Sequence, residues 1–171
     1  MDVYLQHLEK KHKKKFLQST RLSQAFHHPW IYPPVNDQEF LAYLRRYESP
    51  DQLSFLVFSQ EDLLVGVLNF NDIVRGGYQS CSMAYYMMQG FQQKGYMKKA
   101  AIQGLRYVFS VEGLNRVEAN IQPLNHASIA FVRSLAFCKE GFSKKFLKIA
   151  DNWCDHERWA LLAENFQYQN L

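Results

Sequence analysis

Two short stretches of this sequence combine residue types and spacing that can do chemistry. The first is Gln92-Gln93-Lys94-Gly95-Tyr96-Met97, a glycine loop between an apolar run and a segment of helical spacing. A loop that ends at a helix N-terminus aims several free N–H groups at one point, and the helix dipole adds partial positive charge there. Such a point favours an anion such as a pyrophosphate. Gly95 lets the backbone approach a phosphate closely, and Lys94, Lys98 and Lys99 add charge. The second stretch is Pro123-Leu124-Asn125-His126-Ala127-Ser128. Asn125 can cap the next helix through its side-chain oxygen, with Ser128 one turn in. Taken singly, the first also reads as an ordinary loop before a basic helix, and the second as an ordinary cap.

Other groups are less committed. Glu118 and Asn120 share the polar face of an alternating segment, where Glu118 also reads as a surface salt-bridge partner on the Arg116 side of the sheet. Asp155 and His156 form an adjacent acid–imidazole pair, but no nucleophile motif accompanies them. They read as structural, or as orienting a turn near a substrate mouth. Trp30 and Tyr32 either line an entry or pin their loop to the core. The run Lys10–Lys15 (KKHKKK) can touch RNA, yet charge runs on helices are mostly solvated faces. It lacks the aromatic interleaving of a nucleic-acid groove, so direct nucleic-acid binding is not expected.

The elements that must position these residues follow from pattern. Val3 to His7 reads as a short strand, and the lysine run leads into a polar helix ending near Ser23. Three prolines make residues 28–34 a loop. Asn36 or Asp37 caps a helix with Phe40, Leu41 and Leu44 on its buried side, and Pro50 ends it. Strands are predicted over Leu53–Phe58, Leu63–Phe70 and Tyr78–Met88, with turns at residues 60–62 and 76–77. A helix spans Met97–Val111, stopped by Gly113. Arg116–Gln122 alternates Val117, Ala119 and Ile121 with Glu118, Asn120 and Gln122, a half-exposed strand. A helix after Asn125 carries Ile129, Val132 and Leu135. Phe142–Ile149 and His156–Ala163 close the chain as a hairpin about Asp151-Asn152. The result is one α/β (α+β) domain over residues 1–171: a mixed, mostly antiparallel sheet with helices on both faces.

Composition excludes several classes. At 171 residues and 47% apolar, the chain can bury one core. A net charge of +4 suits an anionic ligand without deciding for one. Cys81, Cys138 and Cys154 are odd in number and form no CxxC pair, so neither zinc nor a disulfide framework is indicated. No apolar run approaches the roughly 20 residues of a membrane span. The expectation is a cytoplasmic protein with no metal and no membrane partner.

The order of the two motifs resembles the GNAT superfamily of acetyl-CoA-dependent N-acetyltransferases. Gln92-x-x-Gly95-x-Met97 is similar to its Gln/Arg-x-x-Gly-x-Gly/Ala pyrophosphate signature, with Met97 in place of the small residue. Asn125-His-Ala-Ser128 with Leu135-Ala136-Phe137-Cys138-Lys139-Glu140-Gly141 is similar to its Asn-x-x-Ser and Leu-Gly-Phe-x-x-Glu-Gly tail. Ala136 stands where glycine is usual, read as a local packing change. Pro29 to Pro34, Gly95-Tyr96-Met97 and Trp153 to His156 narrow the resemblance to the ribosomal-protein-alanine acetyltransferases (RimJ/RimL type). Ser82-Met83-Ala84-Tyr85 lacks the acidic residue that the family often carries there.

The resemblance implies direct attack of an amine on the acetyl-CoA thioester. It assigns Met87, Met88, Gln92, Gln93, Lys94, Gly95, Tyr96, Met97, Asn125 and Ser128 to the cofactor. Backbone N–H groups near Met87 and Met88 would meet the thioester carbonyl. Trp30, Tyr32 and Asn120 would meet the substrate, Glu118 would be the base, and Ser128 or Tyr85 would protonate the thiolate. The expected acceptor is the N-terminal α-amine of a ribosomal protein, and a homodimer is left open. Making an α-amine neutral at pH 7 costs about 1.4 kcal/mol, against about 4.6 for a lysine, so it needs only a weak base. Two other readings stand. A polyamine or aminoglycoside acceptor would call for a pocket ringed by Asp and Glu. A non-catalytic acyl-CoA- or ribosome-binding module would bind without turnover.

Overall fold

The computed structural model describes residues 2–166. A single seven-stranded sheet runs β1-β2-β3-β4-β5-β7-β6. Its strands are β1 (Val3–His7), β2 (Leu53–Ser59), β3 (Leu64–Val74), β4 (Ser80–Met87), β5 (Arg116–Ile121), β6 (Cys138–Ile149) and β7 (Asn152–Leu162). Every neighbouring pair is antiparallel except β4 and β5. The expected mixed, mostly antiparallel sheet with helices on both faces is present.

On one face lie α1 (Lys13–Leu22), α2 (Gln24–His27) and α3 (Asp37–Arg46). Phe16, Leu17, Phe40 and Leu44 pack there on Leu56, Phe58 and Val67. Asn36 caps α3, its side chain accepting the Glu39 N–H at 2.9 Å. Leu41, expected on the buried side, is 36% exposed, because the face at spacing four (Phe40, Leu44) suffices to cover the sheet. The helix stops at Arg46, short of Pro50.

The other face carries α4 (Tyr96–Ser110) and α5 (His126–Ser134) over a larger core. Gly104 is what lets α4 lie so close: a Cβ there would stand 2.5 Å from Leu68 Cδ2 and 3.0 Å from Phe70. At the end of α5 the chain turns through Ala136 with φ of 65°. Phe137 N–H donates to Val132 C=O and Ala136 N–H to Arg133 C=O, the paired bonds of a left-handed helix stop. Glycine is therefore usual at this position for backbone reasons, which corrects the packing explanation.

Candidate active site

The parallel contact between β4 and β5 lasts three residue pairs, Ser80–Arg116, Cys81–Val117 and Ser82–Glu118. Beyond Ser82 the strands part, while β4 stays paired to β3 and β5 to β7. Met83–Met87 and Ala119–Ile121 thus present unpaired backbone edges to a gap. Met88 N–H donates to Val65 C=O at 2.9 Å. In an antiparallel ladder the next pair, Gly66–Met87, then turns its N–H and C=O outward, toward the gap. The Met87 carbonyl accepts a bond from His27 Nε2 at 2.8 Å, and the Met87 N–H faces the opening. Of the two residues expected near the thioester carbonyl, only Met87 turns its N–H toward the gap. Met88 has its N–H committed, and its buried side chain belongs to the α1–α3 core.

The gap opens into a cavity of about 760 Å³. One end is formed by Gln92, Gln93, Gly95 and the start of α4. Tyr85, Asn125, Ser128 and Phe131 form one wall; His27, Trp30, Tyr86, Asn120 and His156 form another. Among the described residues no Asp or Glu lines it.

At the α4 end Gly95 takes φ of 79° and Gln93 61°, so the chain enters the helix through left-handed backbone. No side chain caps this helix, and no acid lies in its first turn. Its first backbone bond runs from Lys99 N–H to Gly95 C=O. The N–H groups of Tyr96, Met97 and Lys98 therefore have no acceptor within the helix, an arrangement that favours an anion. The side chains of Tyr96 and Met97 are buried, although both residues line the cavity. Gln92 braces the loop by accepting the Gly90 N–H at 2.7 Å. Lys94 falls outside the cavity, its ammonium 5.7 Å from the Phe91 ring centre.

Asn125 accepts the Ser128 N–H at 3.1 Å, and Tyr85 donates its hydroxyl to the Ser128 carbonyl at 3.3 Å. The Tyr85 ring rests on Phe131, and burial pushes its phenol well above the ordinary value, so it stays protonated. Glu118 does not line the cavity. It accepts from Arg116 Nε at 2.8 Å and from Arg158 at 2.9 Å, while Arg116 also grips Glu140. Burial raises the Glu118 pKa, but these guanidinium bonds outweigh burial and hold it below the usual carboxylate range. A carboxylate so stabilised is a poor proton acceptor, and the base role expected of it is not what its surroundings favour. Asn120 lines the cavity with its Oδ1 buried and unpartnered. Trp30 reaches the wall, but Tyr32 turns outward against His28 and is 55% exposed.

Sequence reasoning missed His27 on this wall, and it gave His156 no more than an orienting role. Neither carries a local signal of its place in the cavity. Among the described residues no group of three or more His, Cys, Asp or Glu could hold a metal, and no helix is long and apolar enough to cross a membrane.

The chain matches the acetyltransferase (GNAT) domain over residues 2–137. The [ribosomal protein uS5]-alanine N-acetyltransferase of Escherichia coli (strain K12) is 37% identical over 101 residues, 59% of this chain and 52% of that protein. The match thus spans about half of that relative's length. The probable N-acetyltransferase YjcK of Bacillus subtilis (strain 168) is 31% identical over 121 residues, 70% of this chain and 67% of that protein. Mycobacterium smegmatis RimJ, solved with CoA-disulfide, has a TM-score of 0.85 at 22% identity, covering 95% of this chain and 82% of that one. Spermidine N-acetyltransferase from Vibrio cholerae, solved with CoA and spermine, has a TM-score of 0.80 at 18% identity over 98% of both chains. At these identities the solved structures speak to fold alone. With a domain match over most of its length and a relative matched over two thirds of its own, the chain belongs to the GNAT acetyltransferase family.

Proposed function

We propose that this chain transfers an acetyl group from acetyl-CoA to the free N-terminal α-amine of a protein, with a ribosomal protein as the natural acceptor. The observation that carries this reading is that, among the described residues, no carboxylate lines the cavity. A polyamine or aminoglycoside brings several positive charges, and a site for it needs fixed negative ones. An α-amine brings one charge and sheds it at a cost of about 1.4 kcal/mol at pH 7. An uncharged wall with neutral acceptors suffices for it. The relatives named for alanine acetylation of a ribosomal protein support the same acceptor class.

Acetyl-CoA supplies the activated acyl group. The free N–H groups at the start of α4, flanked by Gln93, suit its pyrophosphate. Asn125 and Ser128 border its arm. The Met87 N–H, directed into the gap, suits the developing oxyanion. Tyr85, protonated and in contact with the Ser128 backbone, suits protonation of the leaving thiolate, with the Ser128 hydroxyl as the other candidate. Trp30 and Asn120 receive the acceptor. Glu118 acts as a structural ion-pair partner. Residues 1–171 function together as one domain. A ribosomal-protein substrate places the reaction in the cytoplasm.

Direct RNA binding by the lysine run is not part of this reading. Lys11, Lys13 and Lys15 pair with Glu9, Asp37 and Asp62, which neutralises much of its charge. The test is to incubate the protein and acetyl-CoA with unacetylated small-subunit ribosomal proteins and map the modified sites by mass spectrometry. Acetyl on the α-amine of one protein is expected. Acetyl on lysine side chains alone would overturn the assignment, as would acetyl-CoA binding without transfer to any amine.

A further inference from the structure

We propose that His156 is the general base of this reaction, taking the proton from the attacking α-amine at Nε2. The inference rests on the reading of the cleft given above. His156 lies on β7 and is 2% exposed, yet it lines the cavity together with Asn120 and Trp30. Its Nδ1 is 3.0 Å from the Cys154 carbonyl oxygen. A carbonyl only accepts, so Nδ1 carries the hydrogen, and in the neutral ring the lone pair is on Nε2. Nε2 has no hydrogen-bond partner among the described residues.

The surroundings hold the ring in that state. Adjacent strand residues point to opposite faces, so Asp155 does not form a couple with His156. Its carboxylate instead accepts the Lys145 N–H at 2.7 Å, across the irregularity in β6 between Ser143 and Leu147. That irregularity brings Phe146 onto the imidazole, 5.8 Å between ring centres, and Arg158 lies over the Phe146 ring. Ser143 stands opposite His156 in the ladder, and Glu157 is bonded to Lys139 and Trp159. Burial lowers the imidazole pKa more than the Cys154 carbonyl and Asp155 raise it, which keeps the ring uncharged at neutral pH.

The other titratable groups on the wall are less suited. His27 spends Nε2 on the Met87 carbonyl, and its Nδ1 is enclosed without a partner. Burial keeps Tyr85 and Tyr86 protonated. In the step proposed, Nε2 takes one proton from the α-ammonium and passes it to solvent, and the freed nitrogen bonds to the thioester carbonyl carbon and then gives a second proton to Nε2, which also releases it to solvent. The C–S bond breaks, sulfur leaves with the electron pair, and the thiolate gains a proton from Tyr85, which solvent restores. Overall an ammonium and a thioester give an amide, a thiol and one released proton.

The test compares wild type with His156→Gln, using a peptide with a free N-terminal alanine. At pH 7, kcat/KM should fall about 100-fold, the scale of general-base loss. The acetyl-CoA Kd should stay within twofold, and the deficit should shrink toward pH 9, where the amine is neutral without help. A variant within threefold of wild type at pH 7, or a deficit equal at every pH, overturns the assignment. A measurement on the unmutated protein covers a variant that fails to fold. Histidine 15N NMR at pH 7 should find His156 with the proton on Nδ1 and none on Nε2. The opposite tautomer or an imidazolium overturns it. Absence of turnover by the wild type with bound acetyl-CoA overturns the reading of the cleft itself, and the role of His156 with it.

Discussion

Replacing Gly95 by alanine separates the two things this glycine does. Its φ of 79° is left-handed backbone, and a Cβ added there meets nothing within 4 Å. The folding cost is then only conformational: about 1–2 kcal/mol for an L-residue in this region, partly offset because alanine also restricts the unfolded chain. A net loss of about 1 kcal/mol lowers Tm by about 2–4 °C in a chain of this size. On the proposed reading function is affected separately, because the new methyl would crowd a phosphate approaching the N–H groups of Tyr96–Lys98. Losing one charge-assisted hydrogen bond costs about 1.5–3 kcal/mol, or roughly a 10- to 100-fold rise in the acetyl-CoA Kd. Gly113 provides the control. It has φ of 67°, equally open space around it, and lies beyond the far end of α4. Gly113→Ala should show the same Tm loss with an unchanged Kd, measured by calorimetry on both variants. An acetyl-CoA Kd within twofold of wild type for Gly95→Ala, or equal weakening in both variants, would refute a pyrophosphate site at this helix start.

Further expectations follow from individual contacts. Ala136→Gly relieves a left-handed alanine at the end of α5 and should raise stability by about 1 kcal/mol in urea unfolding, with activity unchanged. Glu118→Gln removes the ion pairs to Arg158 and to Arg116, which keeps Glu140, and should cost about 1–2 kcal/mol at pH 7 while leaving kcat within threefold. Because the folded pKa of Glu118 is depressed, its contribution is present above about pH 4.3 and lost as pH falls through the folded value. The stability gap between Glu118→Gln and wild type should therefore narrow on acidification, and a gap that widens contradicts the ion-pair account. Tyr85→Phe should reduce kcat about 10- to 100-fold with the acetyl-CoA KM within threefold, as steady-state kinetics would reveal.

Much of the scaffold was legible because its cues are local. The strand at Val3–His7, the Asn36 and Asn125 caps and the stop at Gly113 depend on residues within a few positions of each other. The gap between β4 and β5 was not legible, since it arises from each strand keeping a different partner on its far side. Glu118 misled for a related reason. Its strand face was read correctly as polar, but the ladder that sets Asn120 opposite Arg158, and so brings that guanidinium to Glu118, joins residues about 40 apart in sequence. Asp155-His156 was read as one unit because the two are adjacent, whereas the pleat separates them and gives Asp155 to the Lys145 backbone. Met88 looked equivalent to Met87 until the alternation of the ladder decided which of them faces the gap.

A cleft that no carboxylate lines among the described residues should take a single α-amine in preference to a polycation. Thiol release from acetyl-CoA should be followed with three acceptors in parallel: a peptide with a free N-terminal alanine, an N-blocked lysine peptide, and spermidine. The expected kcat/KM is at least 100-fold higher for the free N-terminus than for either of the others, the ratio that about 2.7 kcal/mol of discrimination produces. Equal or faster turnover of spermidine would contradict it.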